Sequence, residues 1–241
     1  LKHGEKISDV IRVKAAYGEN KEDITWQQDH CIFFATRNGT VKKTALSDFA
    51  NVRRGGIVAI KIVPGDLLIE ARFTSGHDDV VLVTAGGLSI RFHEDGVRTM
   101  GRSAAGVRGI RLMKEDHLVA LAIVMNDATL LVAGEKGIGK RTVFGDYRVQ
   151  TRGGKGVKTM KITTKTGKIV GGLTVSDGDE IMLITVGGQM VRTSVGGIRQ
   201  AGRNTQGVRL VNLGTNDRLQ DIAPVITSDK EEIGKDGAPE N

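Results

Sequence analysis

The chain has one cysteine, three prolines and nine aromatic residues among 241. A single cysteine, Cys31, excludes a disulfide framework and a cysteine-based zinc cluster, and it suits a reducing compartment. The longest apolar run, Leu118 to Met125, is eight residues, far below the ~20 that span a bilayer. The first residues lack the basic-then-apolar layout of a secretory signal, so the expectation is a cytoplasmic protein that meets no membrane. Scarce aromatics argue against single-stranded nucleic acid, whose binding leans on base stacking. Scarce proline leaves backbone N–H groups free to complete sheet ladders.

Catalytic constellations are also missing. His3, His30, His77, His93 and His117 show no metal-ligand spacing, so no metal is expected. Gly134 to Arg141 nearly fits a P-loop, but Arg141 stands where a Ser or Thr would hold magnesium, and the segment reads as a turn between two strands. Tyr147 falls on an apolar position of the pattern described next, and Cys31 opens an apolar strand; both read as core.

What is abundant is glycine, 33 residues, about twice the ~7% average share. Four β-branched, apolar runs end in a glycine at Gly39, Gly87, Gly137 and Gly188, spaced 48, 50 and 51 residues apart. A base follows four residues after each: Lys43, Arg91, Arg141 and Arg192. An apolar anchor follows ten residues after each: Phe49, Val97, Tyr147 and Ile198. A second glycine recurs at Gly56, Gly106, Gly156 and Gly207, always before Ile or Val. These are repeats of about fifty residues, each reading as strand, glycine turn, strand, loop, strand, turn, strand. Short strands at that period with no helical periodicity predict an all-β, propeller-like disc whose units bury their sheet faces only by stacking on neighbours. The reading divides the chain into a partial repeat over 1–26, full repeats at about 27–76, 77–126, 127–177 and 178–226, and an acidic tail over 227–241.

Net charge is +7, and without the tail residues 1–226 carry 33 bases against 23 acids. Such a balance predicts a polyanion partner. The candidate contacts are the recurring base, reinforced by Lys42 and Lys140, and the bases before the second glycine: Arg53, Arg54, Arg102, Arg152, Lys155 and Arg203. Held at one height around a disc, these cations match the phosphates of bent duplex DNA. The loop Gln150, Thr151, Arg152, Gly153, Gly154, Lys155, Gly156 stands apart. Its glycine pair could let backbone N–H groups approach a phosphate between two bases.

The repeat, with GTVKKT (39–44), GVRGIRL (106–112), GRNTQGV (202–208) and QTRGGKG (150–156), resembles the C-terminal domain of the DNA gyrase A polypeptide over residues 1–226. The resemblance implies a β-pinwheel, a propeller-like disc that exchanges strands between blades and wraps duplex DNA on its rim. It also implies a bacterial, nucleoid-associated setting and, as partners, the rest of gyrase A together with gyrase B. No catalytic residue or cofactor is expected in this chain; the cleaving tyrosine, and the ATP and magnesium, belong elsewhere in the holoenzyme. The family's box has an arginine where Thr151 stands and lies in the first repeat, whereas this copy lies in the third complete one. Two alternatives stay open: the corresponding DNA-bending domain of topoisomerase IV, and a protein-binding propeller.

Overall fold

The computed structural model describes residues 7–11, 30–51, 53 and 55–225. Most of the 1–26 partial repeat, Arg54 and the acidic tail lie outside the described residues.

Each glycine-ended run pairs with the strand after it through a tight loop, three residues long in the first three hairpins and four in the last. The glycine sits at positive φ: +80° at Gly39, +86° at Gly87, +74° at Gly137 and +82° at Gly188. Glycine meets that requirement without steric cost. The hairpins are β1 (Cys31–Thr36) with β2 (Thr40–Ala45), β4 (Asp79–Thr84) with β5 (Leu88–His93), β8 (Thr129–Gly134) with β9 (Ile138–Val143), and β12 (Glu180–Thr185) with β13 (Met190–Ser194). Three of the turns are tied from outside by an aspartate of the second turn in the same repeat. Asp66, Asp116 and Asp217 accept the N–H of Asn38, Gly86 and Gly187 at 2.8–2.9 Å. The P-loop-like segment forms the β8–β9 hairpin and opens no helix.

The last strand of each repeat, β3 (Leu68–Thr74), β7 (Leu118–Ile123), β11 (Ile169–Val175) and β15 (Leu219–Pro224), pairs on the inner side of its hairpin. These four strands contact their neighbours in order, β3 with β7, β7 with β11 and β11 with β15, so they form the hub of the disc. A cavity of about 750 Å³ lies among them.

Strand exchange supplies the outer edge. The two-residue strands β6 (Val107–Arg108), β10 (Val157–Lys158) and β14 (Val208–Arg209) each pair with the hairpin of the preceding repeat, on β2, β5 and β9 respectively. Three sheets are therefore four-stranded and cross the repeat boundaries read from sequence, while the last, β13-β12-β15, has three strands. The second glycine makes the exchange possible. A Cβ on Gly106, Gly156 or Gly207 would lie 2.2–2.4 Å from a carbonyl oxygen of the preceding hairpin, and all three have positive φ.

The core follows from period-two alternation in strands covered on both faces. In β4, Val80 and Leu82 pack toward the first blade with Phe33, Ala35 and Val41, whereas Val81 and Val83 pack toward the third with Leu130, Val132 and Tyr147. In β8, Leu131 and Ala133 face the fourth blade with Ile181, Leu183 and Ile198. The anchors Phe49, Val97, Tyr147 and Ile198 are all buried, and so is Cys31. The Tyr147 hydroxyl lies 2.7 Å from Thr159 Oγ1, and burial raises its pKa. Among the described residues no helix is long and apolar enough to cross a membrane.

Candidate nucleic-acid interface

The recurring base four residues after the first glycine was expected on the rim, and the structure turns three of its four copies into the protein. Lys43 Nζ lies 3.7 Å from buried Glu94 and 3.8 Å from Asp95, at the 3-10 corner of the second repeat. Arg91 pairs with Asp79 at 2.7 Å and donates at 2.9 Å to the carbonyl of Phe144, in the equivalent corner of the third. Arg141 donates at 2.8 Å to the carbonyl of Ile198 in the fourth and pairs with Asp177. Each base thus fastens its blade to the next. Arg192 meets no such corner among the described residues; it pairs with Glu180, and its side chain is 55% exposed.

Lys42 and Lys140 are a second correction. Both are fully buried. Lys42 Nζ donates to the carbonyls of Ala59 and Arg102, each at 2.6 Å. Lys140 Nζ donates to those of Gly202 and Arg203, at 2.5 and 2.7 Å. Burial lowers both ammonium pKa values to about 8. These lysines hold the backbone of the arginine loops from inside, and neither can reach a phosphate without abandoning two carbonyls. A shielded donor–acceptor arrangement of this kind is costly to leave half-made.

The loop bases are placed differently. Arg53 and Lys155 are exposed, and Arg102, Arg152 and Arg203 are half-exposed. Arg152 donates to the carbonyls of Gly96 (2.6 Å) and Arg108 (3.1 Å), and Arg203 to that of Lys158 (3.0 Å). Their guanidiniums therefore lie across the seam to the preceding repeat. The box-like loop docks on the second blade's edge. Gly153 N donates to Gly109 O at 2.6 Å and Gly154 O accepts from Arg111 N at 2.8 Å, so the Gly153 N–H expected to meet a phosphate is already engaged. A Cβ on Gly154 would touch Ile90 at 3.5 Å; this loop rests on an apolar residue where its counterparts rest on Lys42 and Lys140. Gln150 Nε2 is buried with no hydrogen-bond partner among the described residues, and Gln150 lines a cleft together with His93 and Arg152.

Three sets of bases escaped the motif reading. Arg98, Arg148 and Arg199 follow the apolar anchors; Arg108, Lys158 and Arg209 lie on the exchanged strands; Lys61, Arg111 and Lys161 stand five residues past the second glycine. All nine are exposed. All but Lys61 belong to the segment that a repeat lays along the outer edge of its predecessor, fixed there by parallel bridges Lys43↔Thr99, Arg91↔Val149 and Arg141↔Gln200; the Lys61 N–H donates instead to Ala104 O of the next repeat, at 3.1 Å. Residues 98–111, 148–161 and 199–212 hold four, five and three bases respectively and no Asp or Glu, and residues 51–62 hold three bases and no acid. That absence of acids was visible in the sequence. Acids collect instead at the hub and the turns. At the hub Glu70 accepts the Leu121 N–H and pairs with Arg72. Its burial raises the carboxyl pKa to about 7.

Comparison with known proteins agrees with this architecture. The family profile described as "DNA gyrase C-terminal domain, beta-propeller" matches residues 32–75, 78–125, 128–176 and 179–226. The chain belongs to that family. It is 44% identical over 233 residues to the DNA gyrase A polypeptide of Mycolicibacterium smegmatis, covering 96% of this chain and 26% of that protein. It is 46% identical over 206 residues to the DNA gyrase A polypeptide of Escherichia coli K12, covering 84% of this chain and 24% of that one. The chain thus spans about a quarter of these relatives' length and corresponds to their C-terminal domain. Among solved structures, the C-terminal domain of DNA topoisomerase IV superposes with TM-score 0.77 at 28% identity, covering 83% of this chain and 63% of that one. The DNA gyrase A C-terminal domain superposes with TM-score 0.76 at 26% identity, covering 86% and 68%. The family's pinwheel architecture accounts for the exchanged strands.

Proposed function

We propose that this chain binds and wraps duplex DNA as the C-terminal domain of a gyrase A polypeptide, without chemistry of its own. The observation that carries this reading is the acid-free, basic segment repeated along the outer edge of each blade. Exposed cations in register on a curved rim suit a sequence-blind partner of regular negative charge, and each phosphate they neutralise contributes to a salt-dependent affinity. Bending a duplex of 20–30 base pairs by 40–90° costs roughly 1–6 kcal/mol, and many such contacts are needed to offset it. In this reading Arg98, Arg148, Arg199 and the exchanged-strand bases form the track. Arg53, Arg102, Arg152, Lys155 and Arg203 flank it, and Lys42, Lys43, Arg91, Lys140 and Arg141 build the scaffold beneath. Strand cleavage, ATP and magnesium belong to the rest of gyrase A and to gyrase B, in the bacterial cytoplasm at the nucleoid.

A topology assay tests it. Nicked circular plasmid is sealed by ligase in the presence of the chain, deproteinised, and its linking number read on a gel. A positive shift supports chiral wrapping. Binding without a shift favours the bending role of a topoisomerase IV domain, a second reading supported by the equal structural likeness and by Thr151 in the box-like loop. No binding at low salt returns the protein-interaction propeller.

A further inference from the structure

The third repeat carries more positive charge than the others and gathers it in one place. From Tyr147 to Ser176 the chain holds seven bases and no Asp or Glu. Five of the seven are lysines, Lys155, Lys158, Lys161, Lys165 and Lys168, and all five are exposed. Among the described residues none of them forms an ion pair. Residues 155–168 thus hold five bases and no acid. The matching stretches are nearly balanced: 55–67 hold one base and one acid, 105–117 three bases and two acids, and 206–218 two bases and one acid.

Hydrogen bonds trace where these lysines stand. Val157 and Lys158 pair with Ser89 and Leu88 on the outer edge of the second blade. Thr159 N and Met160 N donate to Gly87 O, at 2.8 and 3.4 Å, so the chain passes over the β4–β5 turn. Lys136 N then donates to Thr166 O at 3.1 Å, and Glu135 N to Lys168 O at 2.9 Å, both from the β8–β9 turn. Ile169 follows as the first residue of hub strand β11. The lysines therefore run from the rim across the end of the disc where the hairpins turn, and stop at the hub. The opposite end of the same two blades exposes Asp95, Asp127 and Asp146.

The turn that holds Lys165 and Lys168 has lost its acid without losing its fastening. In the other three repeats an aspartate, Asp66, Asp116 or Asp217, accepts an N–H of the hairpin turn. In the third, the Thr166 carbonyl serves Lys136 N at the equivalent position, and buried Thr166 Oγ1 accepts from Thr163 N at 2.8 Å. An aspartate fastens this turn three times, so packing gives no reason to replace it. The effect of the change is electrostatic: a carboxylate is absent from the one turn that gathers lysines. Uncompensated like charge destabilises a compact fold through self-repulsion, and a bound polyanion relieves it.

We propose that the hairpin-turn end of the disc at the third repeat is a second duplex-binding surface, continuous with the rim. On it Lys161, Lys165 and Lys168 contact phosphates that the outer-edge track does not reach. The inference rests on the duplex-DNA reading above and adds a direction to it: the path on the protein turns off the rim at this seam, toward the hub and away from the acidic end.

The test compares the unaltered 241-residue chain with Lys165→Gln/Lys168→Gln and with Lys114→Gln, by fluorescence anisotropy of a labelled duplex across salt concentration. Circular dichroism checks that each is folded. The double variant should bind more weakly, with a log–log salt slope shallower by roughly 1.8, about 0.9 for each lost phosphate contact. Lys114→Gln, at the same end one repeat earlier and beside Glu115 and Asp116, should leave the slope unchanged. Position is read separately. With Cys31 buried, a photoactivatable aryl azide on Lys165→Cys should crosslink bound duplex, and the same group on Asp127→Cys should not. An unchanged slope in the double variant, or equal crosslinking from the two cysteine variants, would overturn this inference while leaving the rim reading intact. Failure of the unaltered chain to bind duplex at low salt would overturn both.

Discussion

Gly156→Ala probes the local requirement for strand exchange. Gly156 has φ +77°, and a Cβ there would lie 2.2 Å from the Ser89 carbonyl oxygen and 2.8 Å from its carbon. Two costs add. A left-handed alanine costs roughly 1–2 kcal/mol, and the clash forces a backbone shift of the kind that costs roughly 1–3 kcal/mol in packed surroundings. Backbone atoms cannot swing aside like a side-chain tip, so β10 must lift from β5. The expected loss is roughly 2–5 kcal/mol, or roughly 4–20 °C in Tm at this chain length, read by circular dichroism in thermal and urea unfolding. Gly154→Ala, two residues away, is the control. Its Cβ would meet Ile90 at an ordinary 3.5 Å, so its effect should stay within about 0.5 kcal/mol. Equal losses for the two variants would refute the steric account of the second glycine.

Other perturbations separate scaffold from surface. Arg141→Ala should destabilise by roughly 1–3 kcal/mol by leaving the Ile198 carbonyl without its charged donor, while Arg192→Ala at the open edge should change the melting temperature little. Lys140 carries a pKa lowered by burial to about 8 from an ordinary 10.5. Its charged form is therefore penalised in the fold, and wild-type stability should gain from this group as pH rises from about 8 to 10.5, a gain absent in Lys140→Met. Glu70 runs the opposite way. With its pKa raised to about 7 from 4.5, the folded state holds the proton more tightly, so stability should fall as pH rises from 4.5 to 7, by up to about 3 kcal/mol. Glu70→Gln should flatten that window in pH-dependent urea melts.

The fold was legible because its sterics recur in the sequence. Gly39, Gly87, Gly137 and Gly188 need positive φ, Gly106, Gly156 and Gly207 need a missing Cβ, and no other residue meets either demand cheaply. The site was legible only in outline. A base four residues past a turn looks the same whether its strand edge is bare or covered. Lys43, Arg91 and Arg141 lie on edges that the next repeat covers, and Arg192 alone keeps the exposure expected of all four. Which edge is covered depends on pairing between segments some seventy residues apart, as in Thr40↔Arg108, and no local pattern reports that. The usable clue was negative, in the lack of any acid across 51–62, 98–111, 148–161 and 199–212. A segment that only capped a sheet edge would have no reason to exclude Asp and Glu four times over.

Duplex affinity as a function of salt tests the rim assignment most directly. Three proteins are compared: the unaltered chain, Arg98→Gln/Arg148→Gln/Arg199→Gln, and Lys42→Met/Lys140→Met, each confirmed folded by circular dichroism at the assay temperature. If the exposed segment is the DNA track, the rim triple weakens binding and makes the log–log salt slope shallower by roughly 2.7, about 0.9 for each lost phosphate contact. The buried pair should leave the slope unchanged. An unchanged slope in the rim triple, or a shallower one in the Lys42/Lys140 variant, would contradict the account.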